Sequence, residues 1–110
     1  MTKPATELLK GTLDMLVLRT LDLEPRHGLG VADRIEQITQ GTFRVKPGSL
    51  FPALHRLEQG GFIEGAWEKS PQGRRGKFYR LTVAGRRQLE AERRNWAVIA
   101  IAVGQVLEAE

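Results

Sequence analysis

The sequence predicts a mainly α protein with a small β-hairpin, and three observations carry that expectation. Apolar residues recur at helical spacing in four separate stretches, two short aromatic-rich stretches flank a turn rich in Gly and Pro, and the final helical stretch far outruns the others. At 110 residues with 41% hydrophobic side chains, the chain fits one unit with a small core. A core of that size favours burying further apolar surface against a second copy.

Residues 5–22 place Leu9, Leu13, Leu16 and Val17 at i, i+4, i+7 and i+8, the buried stripe of a first helix. Leu8, Met15 and Leu18 lie off that stripe, so a second side is expected to be covered by a partner chain. Glu24-Pro25-Arg26 breaks the pattern, and Val31, Ile35 and Ile38 then mark a second helix that fades at Thr39-Gln40-Gly41. Residues 42–45 read as extended.

A third helix at about residues 48–59 follows, and it opens with two prolines, Pro47 and Pro52. The first N–H groups of a helix have no intrahelical acceptor, so a missing donor costs nothing there. With Ser49 near the N-cap, Pro52 would occupy the third helical position, Leu50, Leu54 and Leu57 would be buried, and Gly60-Gly61 would end the helix. The outward side then carries Ser49, Phe51, Pro52, His55 and Arg56, with Lys46 beside it, around a positive helix N-terminus suited to a phosphate.

Residues 62–68 and 77–81 are aromatic and β-branched enough for two strands, joined by a turn containing Pro71, Gly73 and Gly76. Trp67, on the first of them, is expected in the core. Thr82 is the expected N-cap of a last helix over residues 83–107, about 37 Å long at ~1.5 Å per residue. Leu89, Trp96 and Val103 recur at sevens, as do Ile99 and Val106, a heptad-like stripe for dimerisation.

The formal net charge is +4. Residues 69–87 hold Lys69, Arg74, Arg75, Lys77, Arg80, Arg86 and Arg87 with no acid, so the basic block is concentrated on the hairpin and just beyond it. Three helices, a hairpin with an arginine-rich tip and a long apolar helix form the element order of a winged helix-turn-helix domain with an added dimerisation helix. Residues 1–82 would be the DNA-binding part and 83–110 the C-terminal dimerisation helix of the same unit.

The strings HGLGVADRIEQIT, GSLFPALHRLEQGGFI and GRRGKFYRLTVAGRRQLEAERRNW resemble, in order and spacing, the PadR-like transcriptional regulators, over about residues 8–96. The resemblance implies a dimeric winged-helix regulator of palindromic operators, often a repressor and sometimes released by an aromatic or drug-like ligand. It puts Ser49, Phe51, Pro52, His55 and Arg56 on the recognition helix, and Arg74, Arg75 and Lys77 on a wing at about residues 70–77. Phe51 and Leu29 stand where the family commonly has tyrosine, so two hydroxyls are missing.

Other functions find less in the residues. With no cysteine, disulfides, thiolate metal sites and cysteine nucleophiles are excluded and a cytoplasmic location is allowed. His27 and His55 are the two histidines and offer too few ligands for a metal, so neither metal nor cofactor is expected. No nucleophile elbow, phosphate-cradling glycine loop or paired carboxylates point to an enzyme. The N-terminus lacks the apolar core of a signal peptide, and the apolar run at residues 96–107 is too short to span a bilayer, so no membrane partner is expected. Trp96 is a candidate contact for a planar aromatic effector, against plain interface packing. The alternative function is a winged-helix protein-interaction module whose basic face is incidental.

Overall fold

In the computed structural model, which describes residues 10–69 and 75–110, the elements follow as α1 (Lys10–Leu23), β1 (Arg26–His27), α2 (Gly28–Ile38), α3 (Pro47–Gln59), β2 (Ile63–Lys69), β3 (Arg75–Leu81) and α4 (Val83–Leu107). This is the mainly α fold with a small antiparallel sheet that the sequence predicts. The sheet has three strands rather than two, in the order β1-β3-β2, because Arg26 and His27 pair with Tyr79 and Phe78. Two residues beside a proline leave no alternating pattern to read.

The core is α1 surrounded. Leu13, Val17, Leu18 and Leu21 of α1 meet Val31, Ala32 and Ile35 of α2, Leu50, Ala53, Leu54 and Leu57 of α3, Ile63 and Tyr79 of the sheet, and Leu89 of α4. Leu18, expected to need a partner chain, is fully buried within its own protomer, where α1 packs against α4 as well as α2 and α3. Leu89 is likewise fully buried, so this expected dimer contact belongs to the protomer's core. Two other expectations fail in the opposite sense: Ile38 and Trp67 are exposed, 52% and 62% respectively. Ile38 ends α2 past its last core contact, and Trp67 lies where the hairpin has left the body. Residues 42–45 form no strand.

Both inner helices end in the same way. At the end of α2, Gly41 N–H donates to Glu36 O and Gln40 N–H to Gln37 O; at the end of α3, Phe62 N–H donates to Leu57 O and Gly61 N–H to Glu58 O. In each case the residue after the C-cap turns left-handed, Gln40 at φ 52° and Gly61 at φ 78°, which satisfies the last carbonyls. The second of these turns aims the chain from α3 into β2.

The start of α3 differs from the expectation. Its N-cap is Lys46, Pro47 is the first helical residue, and Pro52 lies inside the helix rather than in the donor-free first turn. Pro52 therefore denies Gly48 O its usual i+4 donor; Gly48 is exposed, so water can take that place. Helix α4 begins as expected, with Thr82 Oγ1 accepting from Gly85 N–H at 3.0 Å while donating to Gly61 O at 2.6 Å.

A candidate nucleic-acid interface on α3 and the hairpin

The inward residues of α3 are fixed by the core, and that choice decides which residues face out. Lys46, Ser49, Phe51, Pro52 and His55 are all exposed on one side, as their spacing predicts. Phe51, 47% exposed, rests its ring against the start of α2, where a β-carbon on Gly28 would lie 3.4 Å from it. At the N-terminus, Pro47 has no N–H and Ser49 gives its own to Lys46 O, so Gly48 keeps the free donor of the first three residues. The anion site there is narrower than the sequence implies.

Two of the expected site residues are already engaged. Arg56 turns back to α1, with Nη2 2.8 Å from Asp14 Oδ1, while its Nε is buried without a hydrogen-bond partner. Lys77 points to the core side of the sheet, with Nζ 2.6 Å from Glu58 Oε1 and 5.5 Å from the centre of the Tyr79 ring. Arg75 opens β3 opposite Lys69, and nothing is described of its side chain; Arg74 and the rest of the tip, residues 70–74, lie outside the described residues. Further along the basic block, Arg80 faces Glu64 at 3.9 Å and Arg86 reaches Asp22 at 3.4 Å. Arg87 is exposed on α4.

Asp14 and Glu58 are the residues that sequence reasoning missed. Each is an acid beside a buried stripe, Asp14 next to Leu13 and Glu58 next to Leu57, and that adjacency was the available signal. Removing Asp14 should show what the first pair contributes. Asp14→Ala leaves a partly buried guanidinium unpaired and is expected to lower stability by about 1–2 kcal/mol in urea unfolding. An unchanged midpoint would mean that water already serves Arg56.

The second pair predicts a pH response. The hydrogen bond to Glu58 raises Lys77 above its ordinary 10.5, and burial raises the Tyr79 phenol above its ordinary 10.0. In both cases the folded protein holds the proton more tightly than the unfolded chain. Their stabilisation is thus complete below pH 10 and lost as pH climbs through the raised values. The melting temperature should therefore hold up to about pH 10 and fall above it, and Glu58→Gln should remove the lysine's share of that fall.

The other parts of the surface offer little chemistry. Among the described residues no cluster of three His, Cys, Asp or Glu could hold a metal, and no helix is long and apolar enough to cross a membrane. The second half of α4, by contrast, leaves Trp96, Ile99, Val103 and Val106 exposed along one side and Val98 and Ile101 along another.

A three-helix core with α3 bared beside a hairpin, and a long helix leaving the body, invites comparison with known folds. Residues 17–91 match the transcriptional regulator PadR-like family. The chain belongs to that family. A PadR family transcriptional regulator from Eggerthella lenta is similar in structure, with a TM-score of 0.80 and 31% identity over 92% of this chain and 86% of its own. A PadR-like regulator from Bacillus cereus is similar at a TM-score of 0.79 and 28% identity, covering 96% of this chain and all of the other (100%). A transcriptional regulator of Mycobacterium tuberculosis is 39% identical over 59 residues, 54% of either chain. Membership in the PadR-like family makes the bared side of α3 the first place to look for its function.

Proposed function

We propose that this PadR-like protein is a dimeric DNA-binding repressor that reads a palindromic operator in the cytoplasm. The observation that carries the reading is the exposed side of α3, where Lys46, Ser49, Phe51, Pro52 and His55 present a hydroxyl, an imidazole and a cation to one direction, beside the free N–H of Gly48. Lys46 and the wing arginines Arg74 and Arg75 would neutralise phosphates, while Ser49 and His55 would reach base edges. Arg56 stays with Asp14 and holds α3 in place. The apolar sides of α4 beyond residue 95 support pairing of two copies through Trp96, Ile99, Val103 and Val106, with the first turns of α4 remaining in the DNA-binding part. The half-exposed Trp96 on that seam also supports a planar aromatic effector held between the copies.

Selection of bound duplexes from a random pool tests the reading. The winners should carry an inverted repeat with half-sites about 34 Å apart, one turn of the duplex; recovery of no enriched sequence would leave the interaction-module alternative. On the selected site, Arg74→Ala with Arg75→Ala should weaken binding to all sequences alike and flatten the log–log salt dependence by about 2. An unchanged slope would take the tip out of the interface.

A further inference from the structure

Beyond Phe78 the hairpin loses its third strand. β1 pairs with β3 only at Arg26↔Tyr79 and His27↔Phe78, whereas β2 and β3 remain paired through Trp67↔Lys77 and Glu68↔Gly76 to Lys69↔Arg75. This outer part is a two-stranded ribbon, which twists readily and is marginally stable alone. Besides the His27 ring, which would lie 3.2 Å from a β-carbon on Gly76, its support comes from α3. Lys77, the first β3 residue of the ribbon, runs its stem across Gly65 and ends on Glu58, one residue before the end of α3. A β-carbon at Gly65 would lie 2.5 Å from Lys77 Cε and 3.1 Å from Cγ, so glycine keeps that lane open. The Tyr79 ring under Nζ steadies the same ammonium. Among the described residues, this is the sole ion pair that joins the hairpin to a helix.

We infer that Glu58 and Lys77 are positioning residues, a strut that sets the angle of the wing to the recognition helix, and that Lys77 acts on DNA through Glu58 rather than by touching phosphate. The inference rests on the DNA-binding reading above. Helix and wing have to meet one duplex together, and a ribbon free to swing pays an ordering cost at each encounter that a braced one has met in advance. Both side chains are just over a quarter exposed, so the pair adds little to global stability and its effect on binding is separable from folding.

The test is a double-mutant cycle by fluorescence anisotropy on the duplex selected with the wild type, across a range of salt, with a melting curve for each variant. Glu58→Gln and Lys77→Met should each weaken binding about fivefold, and the double variant should be no weaker than either. The swap Glu58→Lys with Lys77→Glu should recover most of the loss, and the salt slope should stay at the wild-type value throughout. Glu58→Gln raises the net charge by one, so electrostatics alone would tighten binding; a loss points to geometry. A slope reduced by about 0.9 in Lys77→Met, with Glu58→Gln neutral or tighter, would make Lys77 a phosphate contact and overturn the strut. Additive losses would also overturn it. If the wild type binds no duplex, the DNA-binding reading fails and takes the strut with it, whereas a binding wild type with a failed cycle sinks the strut alone.

Discussion

Gly85→Ala is expected to lower stability by about 3 kcal/mol, read as a shift in the urea midpoint at constant slope. Glycine inside a helix ordinarily costs about 1 kcal/mol against alanine, so the usual sign of this substitution is the reverse. Here the added β-carbon would fall on the Phe62 carbonyl oxygen, 2.9 Å from its carbon and 2.7 Å from Leu81 Cδ1. That carbonyl already accepts from Thr82 N–H at 3.1 Å and so cannot withdraw without breaking the start of α4. A stabilised variant would show that the approach of α4 to the β2 entrance is looser than described.

Val103→Glu is expected to raise the dissociation constant of the proposed dimer by at least about 100-fold, since a carboxylate would be carried into an apolar seam without a partner. Val103 is half exposed in the protomer and is not one of its buried core residues, so the fold itself should survive with an unchanged melt. Light scattering at micromolar concentration should report monomers, and affinity for an inverted repeat should drop towards that of a single half-site. A persistent dimer would move the seam to the side of α4 marked by Val98 and Ile101.

Much of this architecture was legible in the residues because periodicity and caps are local. The buried Leu50, Leu54 and Leu57 of α3, the Gly60-Gly61 ending and the Thr82 cap of α4 each follow from side chains within a few positions of one another. What escaped depends on distant parts of the chain. β1 exists because Phe78 and Tyr79 come alongside it, and Leu89 changes from seam to core because α1 happens to lie under the first turns of α4. Pro52 misled for a different reason. A proline at the sixth helical position is tolerated when the carbonyl it strands is in water, and exposure of Gly48 is a property of the folded surface. Apart from Arg56, the outward side of α3 was read correctly as a surface, while the partners of Arg56 and Lys77 were invisible, since Asp14 and Glu58 lie 42 and 19 residues away in sequence.

The acids around the basic block change how strongly a polyelectrolyte should be drawn to it. Of the seven cations in residues 69–87, Lys77, Arg80 and Arg86 already face Glu58, Glu64 and Asp22, so a nucleic acid would have to displace built-in competitors to reach them. At most four are left per protomer, and the ionic-strength exponent of that block should lie near 4 rather than near 6, at about 0.9 for each phosphate met. The protein would then hold its target through shape and base edges more than its raw charge implies, and let go of random sequence readily.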